Sequence, residues 1–490
     1  MTDTPPEDDK EAAGQGVILR AANGDVIRYD RTGLVMRLSD RVIADIEARL
    51  SLPDRAAAAG GAAADDGPDL PDEIDAWDIR AEGDWLRFMA RLPGRQGIRG
   101  FRRPLAGGAI IADGRGPVLG ILGIGGARAA LGSPPAGAGF PYHILAPADD
   151  IGAVGHAGVE LATPRDMLEP IRDLTHEALI ADRLLADRLD RGHALPLFMV
   201  RVETDESPDA RTLATGRAVE NLEQAALSLL RAAERLGTHA RLLAVTLDYA
   251  LEDLSGNAVA YRDGMIALME AVTVRLGRLG LARPLFLATF DCGTHRITES
   301  PALAGQWELS WNHGEHQLIY AAPGYMFAQD ETARLTDQGR VVRAAMCAAA
   351  LEQGADWQCP VIHLAEAEGA EIRLTCASRS DLVLDADDPF GAGATAGFAL
   401  HGAPEGQAIL SAEVDEKDPK SVILRCARPV VAEGLTLSYA YGAAPGAGPY
   451  PANAGRLRDD WQEGEVAGQR LHRWALPALL PVRVGGGARG

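Results

Sequence analysis

Between about residues 195 and 290, short apolar runs alternate with longer segments whose apolar residues recur at helical spacing. This alternation limits the fold more than any other feature of the chain. Leu195-Pro-Leu-Phe-Met-Val-Arg-Val202 has the length and near-continuous apolarity of a buried strand. Ala218, Leu222, Ala225, Ala226, Leu229 and Leu230 then fall on one face of a helix. A second strand follows at Arg241–Leu247. A helix near 258–278 carries Ile266, Met269, Val272 and Leu276 on one stripe, and Pro284–Phe290 forms a third strand. Helical periodicity also covers roughly 163–190. Strands alternating with amphipathic helices imply a mostly parallel sheet with helices on both faces. In such folds the working site lies at the carboxyl ends of the strands.

The flanks differ. Beyond about residue 360 the chain is rich in strands. Leu435-Thr-Leu-Ser-Tyr-Ala-Tyr441 alternates cleanly and Ser421–Arg428 is another strand candidate, so a small antiparallel β domain is expected. Residues 74–147 mix strands with glycine-rich turns. The run Gly120–Gly126 is read as such a turn, because no Walker lysine follows it. Nearer the start, Asn23-Gly24 between two apolar runs predicts a hairpin over Val17–Tyr29. A short helix is expected through Leu50, with Val42, Ile43, Ile46 and Leu50 on one face. The expected division is 1–54 as a tail, hairpin and helix module, and 55–73 as an Ala/Gly/Asp linker. Then come 74–147 as a strand-rich segment, 148–360 as an α/β domain and 361–490 as a β-rich domain.

Composition narrows the function. The 490 residues carry a net charge of -21, which disfavours nonspecific nucleic-acid binding and docking on anionic membrane. No run of about 20 apolar residues suggests a transmembrane helix. The polar, acidic start lacks a signal-peptide plan, so synthesis in the cytoplasm is expected. Five widely spaced cysteines contain no CxxC pair, which predicts free thiols rather than a metal knuckle or disulfide framework. His313 and His316 have a spacing that binds zinc on a helix. They sit instead in a turn-like segment with no obvious third ligand and are read as solvated loop histidines. Neither a cofactor nor a metal is expected.

One further stretch bears on chemistry: Gln329-Asp-Glu-Thr-Ala-Arg334-Leu-Thr-Asp-Gln-Gly339. Together with Leu242–Tyr261, Pro301–Leu309, Ala322–Tyr325 and the strands after residue 397, it resembles the SGNH/GDSL hydrolase superfamily, in particular the sialate O-acetylesterase-like carbohydrate esterases. The resemblance covers about half the chain and rests on order and spacing. It implies a flavodoxin-like three-layer α/β domain followed by an antiparallel β domain, with a small strand-rich module ahead of them. In that family the block reads roughly Asp-x-x-His-Leu-Thr-x-x-Gly, and its histidine is the general base for a serine nucleophile. Leu335, Thr336 and Gly339 match, but Arg334 stands in the histidine's place, and an arginine cannot accept that proton. Asp330 and Glu331 share the position of the orienting acid. A glycine of the family falls at Ala250 or beside it.

Ser207 is the serine nearest the place the resemblance implies for a nucleophile. Its neighbours Glu203, Asp205 and Glu206 disfavour an oxyanion, and Pro208 donates no backbone hydrogen bond. A helix cap is the plainer reading of Ser207. Two functions therefore stay open. The first is a catalytically degenerate carbohydrate-esterase-like protein that binds glycan or cell-surface polysaccharide through Arg334, Asp253, His295 and Trp311. It would act as a structural or receptor-binding part of a phage-like particle, with the N-terminal module joining subunits. The second is an active carbohydrate O-acetylesterase that uses Ser207, with Asp330 or Glu331 and an unrecognised base.

Overall fold

The computed structural model describes residues 70–484 apart from 72, 73, 134–136 and 432, together with three strands near the N-terminus. The chain falls into two compact units, Met1–Asp69 and Leu70–Gly490. In the first, Gly16–Arg20, Val26–Asp30 and Gly33–Arg37 form an antiparallel sheet, and the first two pair as the predicted hairpin. The helix expected through Leu50 and most of the linker lie outside the described residues.

The second unit is mixed α/β with several sheets. Its central sheet has seven strands: β1 Val118–Gly125, β2 Ile144–Pro147, β3 Leu168–Pro170, β4 Leu197–Thr204, β5 Ala240–Asp248, β6 Leu285–Phe290 and β7 Gln317–Pro323. They lie in the order β3-β2-β4-β1-β5-β6-β7. All neighbours are parallel except β3, which pairs antiparallel with β2. Helices α1 His176–Asp190, α2 Arg217–Arg235, α3 Ala258–Arg278, α4 Pro301–Leu309 and α5 Asp337–Gln353 connect or follow these strands.

The middle strand corrects the sequence reading. Val118–Gly125 is not a turn but the buried centre of the sheet, flanked by β4 and β5. Its glycines make room for helices on both sides. A Cβ on Gly120 would run into Leu229 of α2, and one on Gly123 into Glu177 of α1. Three residues apart on a strand, they face opposite ways. The expected boundary at 148 therefore cuts through one sheet: residues 118–125 belong with the α/β domain. The helical period over 163–190 also overreaches. Pro164 and Pro170 interrupt it, Leu168–Pro170 forms an edge strand, and α1 begins only at His176, capped by Thr175.

The remaining β structure surrounds this core. Ala76–Glu82, Trp85–Arg91, Ile98–Pro104 and Ile111–Ala112 form a four-stranded antiparallel sheet. After α5 comes a second seven-stranded sheet and a three-stranded one. The C-terminal sheet is antiparallel except where Val361–Glu368 lies parallel to Ala478–Val484, a pairing that sequence alternation does not reveal. Buried and half-buried side chains join it to the α/β core. Trp307 Nε1 donates to the Ile362 carbonyl (2.9 Å), Tyr325 OH to Ala475 O (2.8 Å), and Asn453 Nδ2 to Cys292 O (2.9 Å). Among the described residues no helix is long and apolar enough to cross a membrane.

Candidate functional site

The five strands β4-β1-β5-β6-β7 run parallel. Numbered along the chain they read 2-1-3-4-5, so the order reverses between β1 and β5. Loops leaving such a point diverge to opposite faces and leave a crevice at the carboxyl ends. A cavity of about 360 Å³ lies there. Its walls come from the loop after β1 (Arg128–Ser133), the ends of β5 (Asp248, Tyr249, Ala250) and β6 (Asp291–Gly293), the first residue of α1 (His176), the loop before α5 (Asp330, Arg334) and α5 itself (Arg340, Arg343).

Most of its charges are engaged. Arg343 Nη2 donates to Asp248 Oδ2 (2.8 Å), and Arg128 Nη1 donates to Asp291 Oδ2 (3.3 Å). Arg340 donates to the carbonyls of Leu131 (3.1 Å) and Leu174. Burial pushes the Asp291 carboxyl up, against the pull of Arg128. Glu252, just beyond β5, accepts from the Arg128 backbone N–H (2.9 Å), and burial together with Asp248 raises its carboxyl.

These contacts occupy the turn after β1. Gly125-Gly126-Ala127-Arg128 offers no hydroxyl, and a Cβ on Gly126 would lie 2.8 Å from Glu252. A carboxylate already holds the amide donor that an oxyanion would require. Ser133, Thr289 and several tyrosines line the cavity, but among the described residues none of these hydroxyls is hydrogen-bonded to an imidazole.

The loop before α5 has a local logic of its own. Asp330 Oδ1 accepts from Thr332 N (2.8 Å), Thr332 Oγ1 (2.7 Å) and Arg334 N (3.1 Å). The Thr332 hydroxyl foremost, then the Arg334 amide, hold this carboxyl below its usual range. Asp330 N closes the turn on Arg334 O (2.7 Å), with Ala333 at φ 62°. Thr336 caps α5 by accepting from Gly339 N (3.1 Å), and a Cβ on Gly339 would strike the Ala328 carbonyl. Thr336 and Gly339 thus have structural duties that need no catalytic histidine. The turn leaves Arg334 exposed on the cavity wall. Its guanidinium makes no ion pair or side-chain hydrogen bond among the described residues and feels Asp330 only at longer range.

The other predicted site residues lie elsewhere. Ser207 is not in the cavity lining. Its hydroxyl donates to Asp205 Oδ1 (3.1 Å), and its carbonyl accepts from Tyr249 OH (2.5 Å). It is not the helix cap either: Asp209 caps the single turn Ala210–Leu213. Asp253 is buried structural support, accepting from Ala210 N (2.8 Å) and Ser255 N (2.8 Å), and does not line the cavity. Glu331 is exposed and His295 half-buried, both outside the lining. Trp311 lies beyond the end of α4. It packs edge-on against Trp307 (5.6 Å) and His363 (5.9 Å), away from the cavity residues. His316 is buried rather than solvated, edge-on to Phe286 (5.8 Å) and 3.6 Å from Glu270, so burial lowers its imidazole. Asp248 and Asp291 escaped the sequence reading although both directly follow predicted strands, where the strand-end rule would have placed them. Arg128, His176 and Arg343 had no such signal.

The second residue of α1, Glu177, is a buried acid. Glu177 Oε1 accepts from Thr246 Oγ1 (2.6 Å), while its buried Oε2 meets no geometric hydrogen bond among the described residues. Burial raises this carboxyl, outweighing the Thr246 hydrogen bond. The folded state therefore holds the proton more tightly than the unfolded chain. Glu177 favours folding most below the unfolded value of about 4.5 and less as pH climbs through the folded one. Each tenfold difference in proton affinity is worth about 1.4 kcal/mol. The expected result is that Glu177→Gln gains stability relative to the native protein between pH 4.5 and 7.5. Urea denaturation across that range checks it, and parallel pH profiles would be the contrary result.

A scan of protein families finds no match to this chain, and no curated protein matches it. Among solved structures it is similar to a carbohydrate acetylesterase from Xanthomonas citri, at 16% identity and a TM-score of 0.46, over 96% of this chain and 91% of that one. The N-terminal part of the bacterial S-layer protein SbsC matches 31% of this chain and 30% of its own, with 13% identity and a TM-score of 0.17. Likenesses this loose leave the cavity's own residues as the ground for its chemistry.

Proposed function

We propose that the protein binds a glycan in the cavity at the carboxyl ends of β1, β5 and β6 and performs no serine-esterase chemistry there. One observation carries this reading: Arg334 presents an unpaired guanidinium where an acyl-transfer site of this type would need a base. A guanidinium exposed on the cavity wall offers several directed donors to sugar hydroxyls or a sugar carboxylate and cannot take a proton from a serine. The plugged turn at Glu252 and the cavity's lack of a hydroxyl–imidazole pair support the same reading. The order 2-1-3-4-5 supports an SGNH-type α/β domain as the scaffold. The separate three-stranded N-terminal unit supports an anchoring role, as in a subunit of a phage-like particle that meets cell-surface polysaccharide.

The test is a glycan array of neutral, acidic and O-acetylated saccharides, probed with the whole protein and with Arg334→Ala. Saccharide binding that the variant loses supports the proposal, and a blank array removes it. Ser207→Ala is expected to leave both binding and p-nitrophenyl acetate turnover at the native level. Turnover by the native protein that Ser207→Ala abolishes would instead establish the esterase reading.

A further inference from the structure

Among the described residues His176 is the one imidazole in the cavity lining. It opens α1 directly after the capping Thr175, so the helix start fixes its backbone. Its Nε2 lies 3.5 Å from Cys347 Sγ on α5, and its Nδ1 makes no hydrogen bond among the described residues. The side chain is half-buried and borders the cavity. A core histidine satisfied on both nitrogens would border no cavity; this one has one ring nitrogen against Cys347 and lines the cavity.

We propose that His176 is a ligand-contacting residue of the inner wall, presenting the ring nitrogen that Cys347 leaves free to a hydroxyl of the bound saccharide. The inference rests on the glycan reading above and deepens it by naming a second polar contact in the cavity that Arg334 lines. An imidazole that stays neutral is both a donor and an acceptor, which suits a hydroxyl better than it suits an ion. The surroundings keep it so. Burial lowers its proton affinity well below the ordinary value, and Arg343 and Arg340 on α5 act in the same direction. The Cys347 thiol, itself pushed up to about 12 by burial, remains protonated. Burial raises the Glu177 carboxyl on the same helix, and Asp248 at the end of β5 is taken by Arg343.

Diethyl pyrocarbonate is the probe. It carbethoxylates neutral imidazole nitrogen, and its other half leaves as carbon dioxide and ethanol. At pH 5 an ordinary histidine of pKa about 6.5 is more than nine-tenths protonated and reacts slowly. Peptide mapping by mass spectrometry should find His176 labelled at pH 5 at least tenfold faster than the exposed histidines of the whole protein. The labelled protein should lose array binding. His176→Phe should bind at least tenfold more weakly with an unchanged melting temperature, while His176→Gln, which keeps a donor and an acceptor, retains most of the affinity. Labelling of His176 no faster than its neighbours, or full binding by His176→Phe, overturns the proposal and leaves the glycan reading standing. An array blank for the native protein defeats the glycan reading, and the His176 contact falls with it.

Discussion

Arg201→Met is expected to destabilise the protein by about 3–5 kcal/mol, the range for breaking a buried ion pair from one side. Arg201 is 1% exposed and Glu203 is fully buried. The guanidinium donates from Nε to Glu203 Oε1 (2.8 Å) and from Nη1 to the Gly152 carbonyl (2.6 Å), and it pairs with Asp149 Oδ2 (3.0 Å). Without it, two carboxylates remain in a low-dielectric setting with no cation beside them. Burial already raises Glu203 despite Arg201, so loss of the partner would favour its neutral form and only soften the cost. The loop 149–155 should loosen first, because it is held to β4 by Gly155 N to Val202 O (2.8 Å), Val202 N to Ala153 O (2.9 Å) and the same arginine. Denaturant titration measures the loss, and hydrogen exchange locates it. A cost below about 1 kcal/mol would mean that water reaches these groups, as it does in exposed pairs. Adding Glu203→Gln to Arg201→Met should recover part of the stability, since it removes one of the stranded charges.

Arg334→Ala is expected to weaken saccharide binding by about 10- to 150-fold, because hydrogen bonds to a charged group are worth about 1.5–3 kcal/mol. The same change should leave stability within about 0.5 kcal/mol, as for a surface residue without special contacts. The side chain is exposed and unpaired, and the turn that holds it is built from Asp330 and backbone groups that alanine retains. Arg334→Lys keeps the charge but loses the planar fork, so an intermediate loss is expected. Calorimetry with the best array saccharide, beside thermal melts of each variant, separates the two effects. Equal affinity in native and alanine proteins would remove Arg334 from the site.

Local pattern carried most of the α/β core. α2 and α3 match their apolar stripes, and β4, β5 and β6 match their apolar runs, since each element's burial is written in its own residues. What failed depended on partners distant in sequence. Gly120 and Gly123 look like turn residues until Leu229 and Glu177 are seen packed against them from opposite faces. That error made Leu197–Thr204 the first strand of the sheet, although Val118–Gly125 precedes it and lies beside it. The site was legible at Asp330 and Arg334, where a local turn places the side chain. It was illegible at Arg128, His176 and Arg343, which meet only through the packing of α1 and α5 against the ends of β1, β5 and β6. Trp311 misled for the same reason. Its spacing from Trp307 fits a helix face, but α4 ends at Leu309 and the pair packs toward Ile362 and His363 of the C-terminal sheet.

Saccharide binding in this cavity is proposed to proceed without deacetylation. The direct measurement is acetate release from an O-acetylated saccharide, followed under conditions where calorimetry shows the cavity occupied. Saturable binding with release no faster than in buffer is expected. Acetate release that saturates with binding, and that disappears in Ser133→Ala or Ser207→Ala, would contradict it.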